Sequence, residues 1–102
     1  MIRVVALVTT KPGRREEVLA AARAIVPGVL AEQGCSEYQL VVDDADFGSI
    51  QAKLGPDVYA VIETWESADA LRAHGAATHL REFRHKARDL IVSSVVHVLT
   101  PA

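Results

Sequence analysis

The stretch Val58–Phe83, VYAVIETWESADALRAHGAATHLREF, carries the chain's only Trp, one of its two Tyr, the acid Glu63 and two of its four His. Histidine titrates near neutrality without special tuning, so His74 is the first candidate for a general base and His79 the second. An exposed helix residue without a role is the competing reading of His74, and packing at a helix start that of His79. Trp65 could offer its indole N–H to a developing oxyanion or stack on an aromatic ring, and it could equally anchor a core. Glu63 stands between apolar neighbours, where an unpaired carboxylate is costly. It therefore either orients a His or Arg in a pocket or pairs across a subunit interface. Tyr38 could donate a hydrogen bond or simply fill the interior.

These residues need positioning elements, and the sequence supplies them. Val58–Trp65 predicts a strand with Tyr59, Val61, Glu63 and Trp65 on one face and Val58, Ala60, Ile62 and Thr64 on the other. Ser67 is a good N-cap for the helix that follows, with Asp69 favourably placed in its first turn. Gly75-Ala76-Ala77-Thr78 interrupts that helix, and Thr78 can recap a second segment carrying Leu80, Phe83, Ala87 and Leu90. Upstream, Ile2–Thr9 is a Val-rich strand ended by Lys11-Pro12-Gly13. From Arg14 a helix presents Val18, Ala22, Ile25 and Val29 as one stripe, with Arg15, Glu16, Arg23 and Glu32 expected to face water. Pro27 predicts a kink or break near Ala24–Gly28, and Gly34 a helix stop. Ser36–Val42 and Ile91–Thr100 complete the strands, the last carrying His97, expected in a core or an interface. Arg81, Arg84, His85 and Arg88 are expected on a solvated helix face.

Composition narrows the function classes. With 102 residues the chain holds one domain, and with half of them hydrophobic it fits a globular class. A net charge of −2 with dispersed basic residues gives no nucleic-acid footprint. The N-terminal MIRVVALVTT lacks a signal cleavage pattern, and no apolar run is long enough to span a membrane. The default compartment is cytoplasmic. The lone Cys35 has no internal disulfide partner and matches no metal spacing. The acidic loop Asp43–Asp57 lacks the spaced oxygen ligands and the terminal Glu of a calcium loop and is expected to be solvated, as a candidate lid. No metal ligand set is assigned, although histidines from separate elements could converge.

The element order β-α-β, loop, β-α-β predicts an α+β, ferredoxin-like βαββαβ domain: a four-stranded antiparallel sheet with its helices on one face. At least three strands are apolar on both faces, and helices cover only one. The bare face would be a larger patch than monomers tolerate, so a homodimer packed sheet to sheet is expected.

With that architecture in place, the chain resembles the antibiotic biosynthesis monooxygenase family of dimeric α+β barrels. The resemblance rests on Gly34-Cys35-x-x-Tyr38, Glu63-x-Trp65-Glu66-Ser67, Ala70-Leu71-x-Ala73-His74 and Thr78-His79-Leu80 with Phe83. It spans residues 1–102 as a single domain of that kind. It implies His74, Trp65 and Tyr38 as catalytic candidates and His79, Glu63, Phe83 and Leu71 as substrate-binding ones. The family includes cofactor-independent monooxygenases of phenols and quinols, haem-degrading enzymes and an isomerase. Haem degraders carry a Trp where His74 stands and an Asn near Val5, so that branch is marked down.

The implied activity is oxidation of a quinol-type or polycyclic phenolic molecule by O2, with no cofactor. Triplet oxygen reacts poorly with closed-shell molecules, and an electron-rich anion can take over the role of a flavin or metal. Such a site needs a base, donors for an oxyanion and a dry pocket. The alternatives are a non-oxidative isomerase on the same scaffold and a non-catalytic dimer that binds small aromatic ligands.

Overall fold

Alternation of apolar side chains makes the strands, and the computed structural model describes all residues 1–102. The elements run β1 (Ile2–Thr10), α1 (Arg15–Leu30), β2 (Cys35–Val41), β3 (Val58–Trp65), α2 (Ala68–Gly75), α3 (Thr78–Ala87), a 3-10 turn (Arg88–Leu90) and β4 (Ile91–Leu99). The sheet order is β2-β3-β1-β4, with every neighbouring pair antiparallel. This is the ferredoxin-like α+β arrangement expected from the element order.

Register fixes which side chains meet. Val4, Ala6 and Val8 on β1 lie opposite Glu63, Val61 and Tyr59 on β3, and Tyr38 and Leu40 on β2 lie opposite Glu63 and Val61. This face packs against the helices through Val18, Leu19, Ile25 and Val29 of α1, Phe83 and Ala87 of α3, and Ala70 and Leu71 of α2. Its opposite face carries Val5, Leu7, Val41 and Ile62, and no element of the chain covers it. β4 lies at the edge, where Val95, Val96, Val98 and Leu99 are all exposed. His97 is exposed there too, opposite Val5, so it belongs to no core within the chain. No helix is long and apolar enough to cross a membrane.

Several local expectations need correction. α1 runs unbroken through Pro27 to Leu30. The hydrogen bond that Pro27 cannot donate would have gone to Arg23, and both residues are exposed, so the freed carbonyl is on the wet side. The helix is capped at Ala31, not Gly34. Gly34 instead turns the chain into β2 at φ +85°, and its carbonyl accepts from the Glu66 N–H at 2.8 Å. Ser67 caps α2 as expected, its hydroxyl accepting from the Ala70 N–H at 3.1 Å. α3 starts with Ala77 at its N-cap, so Thr78 is the first helical residue and its hydroxyl caps nothing.

The Asp43–Asp57 connection has no regular structure but is tied at its base. Asp43 accepts from the Leu54 and Gly55 N–H groups at 2.8 and 2.9 Å, and these bonds hold its carboxyl below the usual range. Arg15, expected to face water, reaches the Gly55 and Val58 carbonyls.

Candidate active site

A cavity of about 440 Å³ lies between the sheet and the helices. Its walls are mostly apolar, including Leu71, Leu80, Phe83 and Ile25, and its polar side chains include Tyr38, Tyr59, Glu63 and His74. The alternation of β3 explains its share of the lining, since Tyr59, Val61 and Glu63 all point to the helix side. Helix α2 delivers Leu71 and His74, three residues apart and therefore on one face.

His74 is buried, at 6% exposure. Its Nδ1 lies 2.8 Å from Glu32 Oε2. The same oxygen lies 2.6 Å from His79 Nε2. A carboxylate oxygen has no proton to give, so both ring nitrogens donate. His74 is thereby fixed with its proton on Nδ1 and a lone pair on Nε2, on the side of the ring away from Glu32. Since His74 lines the cavity and Glu32 does not, the imidazole stands between the carboxylate and the cavity. Trp65 backs it with ring centroids 4.8 Å apart, and Tyr38 meets it edge-on at 5.7 Å.

Within the chain Glu63 pairs with neither a His nor an Arg. Its Oε1 accepts from the Trp65 indole N–H at 2.9 Å. Burial, partly offset by that hydrogen bond, pushes its carboxyl above the ordinary value. Trp65 is itself fully buried and does not line the cavity. Its N–H is committed to Glu63, so Trp65 holds Glu63 and packs on His74 and is not a donor to an oxyanion. Neither phenol of the cavity, Tyr38 or Tyr59, spends its hydroxyl on a hydrogen bond within the chain. Burial raises both phenols, Tyr59 to about 12, so both stay protonated donors.

His79 also departs from expectation. It does not line the cavity, and its Nε2 is spent on Glu32. Room for its ring comes from Gly28, where an added Cβ would lie 3.2 Å from His79 Nδ1. Phe83 and Leu71 do line the cavity as expected. Arg84 and Arg88 are exposed but also reach its wall, so the helix face assigned to solvent is partly a cavity mouth.

Glu32 is the residue the sequence reading misplaced. The stripe Val18, Ala22, Ile25, Val29 advances by four, three and four, and a further three gives position 32. Periodicity therefore carries Glu32 inward just past the helix end, and only its charge suggested solvent.

The family model for antibiotic biosynthesis monooxygenases matches residues 1–86. The probable quinol monooxygenase YgiN of Escherichia coli K12 is 35% identical over 103 residues, spanning 99% of this chain and 98% of its own. This chain belongs to the antibiotic biosynthesis monooxygenase family. Among solved structures, PA3566 of Pseudomonas aeruginosa is similar at TM-score 0.81 and 26% identity, covering 99% of this chain and 93% of that one. Rv0793 of Mycobacterium tuberculosis is similar at TM-score 0.79 and 25% identity, with 99% and 94% covered. Membership in this monooxygenase family makes the cavity the place to look for the reaction, because it is where an acid–base group meets an apolar volume.

Proposed function

We propose that this member of the family is a cofactor-independent monooxygenase that oxidises quinol-type or polycyclic phenolic molecules with O2. The observation that carries this reading is the hydrogen bond from His74 Nδ1 to Glu32 Oε2, 2.8 Å long, behind a largely apolar cavity. It leaves Nε2 of a buried imidazole as a base, and Glu32 balances the imidazolium formed when that base takes a proton. Glu32 is thus a positioning residue and His74 the catalytic one. Tyr38 and Tyr59 are neutral donors for the substrate oxyanion, and Phe83, Leu71 and Leu80 hold the aromatic ring away from water.

The chemistry balances without a cofactor. His74 takes a phenolic proton, and the resulting anion passes one electron to O2, giving a substrate radical and superoxide. These recombine at a ring carbon bearing hydrogen to form a peroxide anion. Cleavage of its O–O bond with loss of that hydrogen leaves a new carbonyl and releases one water, while His74 returns its proton. One oxygen atom enters the product and the other leaves as water.

The test is dissolved-oxygen uptake by metal-stripped, flavin-free protein offered hydroquinones and anthrones, counted above boiled protein. Saturable uptake that falls in His74→Ala supports the reading. Product formed equally under argon would make the protein a non-oxidative isomerase using the same base. Saturable ligand binding with no product would make it a binding dimer.

A further inference from the structure

Glu32, His74 and His79 come from the turn just after α1, from α2 and from α3, and one ligand atom from each lies within 4.8 Å of the other two. We propose that they form a binding site for a divalent transition metal ion of the zinc class, set behind the cavity, and that the ion switches the base off.

Two imidazoles and one carboxylate are a donor set suited to Zn²⁺, Co²⁺ or Ni²⁺ rather than to Mg²⁺ or Ca²⁺. Bonds of about 2.0–2.2 Å need the donor atoms only some tenths of an ångström further apart than the 2.6 and 2.8 Å now separating Glu32 Oε2 from its two partners. Local charge favours a cation. Glu32 accepts hydrogen bonds from the two histidines and pairs with no Lys or Arg, so no neighbouring cation neutralises its charge. Entry is open as well, because the His79 side chain keeps 26% of its surface in solvent whereas that of His74 keeps 8%. Gly28 leaves the His79 ring the space to adjust.

The tautomer makes the consequence specific. A metal ion takes the lone pair of a ring nitrogen that is not protonated. On binding, the His74 proton therefore moves from Nδ1 to Nε2, and that of His79 from Nε2 to Nδ1, with no net release. His74 Nε2, the base in the reaction proposed above, then carries a proton and can accept none. Ion and base exclude each other, and this second half rests on the proposed role of His74.

The chelator-stripped full-length protein is titrated with Co²⁺, read by its visible d–d absorption, and with Zn²⁺, read by displacement of Co²⁺ and by fluorescence of Trp65, whose ring is 4.8 Å from that of His74. We expect one ion per chain. Affinity should fall by at least about tenfold in His79→Ala and in Glu32→Gln, variants whose folding is checked by melting, since even outer-shell changes cost that much. His85→Ala and His97→Ala should bind as the unaltered protein does. Absence of saturable binding, or binding that survives in His79→Ala, or loss in His85→Ala or His97→Ala instead, would overturn the site. Zn²⁺ should suppress oxygen uptake and a chelator should restore it; bound ion with undiminished uptake would overturn the exclusion. Metal binding in a protein that consumes no oxygen would leave the site standing and remove the proposed reaction, and uptake without metal binding would do the reverse.

Discussion

A histidine has two nitrogens, and the one that keeps its proton decides whether the ring can serve as a base. In His74 that choice belongs to Glu32. Replacing Glu32 with Gln keeps the shape and removes the charge that balances an imidazolium. We expect kcat for quinol oxidation to fall by about 10²-fold or more, in the range of acid–base contributions, with KM nearly unchanged. Steady-state kinetics checks this, and an equal kcat in Glu32→Gln would remove the positioning role. Glu63 gives a prediction of opposite sign. Burial raises its pKa in the folded protein above the ordinary carboxyl value of 4.5. The stability linked to its proton is therefore present below about that pH and is lost as pH rises through the raised folded value. Gln at position 63 can still accept from the Trp65 N–H and carries no buried charge. Glu63→Gln should melt like the unaltered protein near pH 4 and above it at pH 7; a lower Tm at pH 7 would mean that the ionised carboxylate holds the site together.

At the scale of elements, the chain enters β2 against the start of α2, and Gly34 is where they touch. Its φ of +85° disfavours any side chain, and a Cβ there would lie 2.8 Å from both Ala70 Cβ and Glu66 Cγ. Gly34→Ala should cost more than about 2 kcal/mol, since the left-handed backbone alone costs roughly 1–2. Gly75, the last residue of α2, has ordinary backbone and open space around it. Gly75→Ala should be neutral or stabilise by up to about 1 kcal/mol. Thermal or denaturant melts of the pair check both, and equal effects would contradict the contact. The same elements show what the sequence made legible. Strand alternation put Glu63 and Trp65 on one face of β3, and Ser67 marked the start of the helix that carries His74, because both signals are local. The carboxylate that holds His74 is not local. Glu32 meets His74 across 42 positions and His79 across 47, and nothing in the spacing of one turn and two separate helices could announce that they converge. Trp65 shows the complementary limit: its N–H needed a partner, and only the register of two side chains on one strand face decided that Glu63 would supply it and leave none for a substrate.

The whole molecule measures 37 × 35 × 20 Å with a radius of gyration of 13.9 Å. A globule of this length has a radius of about 13 Å, so the chain forms a broad slab two layers thick. One sheet face has no cover within the chain. The bare sheet face presents Val5, Leu7, Val41, Ile62 and Val95, and four strands of up to nine residues span roughly 20 × 30 Å of it. Its middle is an apolar stretch rimmed by Arg3, Glu37, Gln39, Thr64 and His97, a patch of the kind that marks an interaction surface, and a second copy offers the same chemistry and the same sheet twist. Two such faces packed together would bury the strands on both sides and turn two slabs into one four-layer body. We expect light scattering to give about twice the 11.0 kDa chain mass at micromolar concentration. Leu7 lies on β1, an interior strand of the sheet, so Leu7→Asp would set a carboxylate against the partner's apolar face in each protomer and should yield monomers with a lowered Tm. Ala20→Asp, on the exposed side of α1, should leave the mass at twice that of the chain. A single-chain mass for the unaltered protein would mean that the sheet face is bare in solution and that the monomer tolerates the patch.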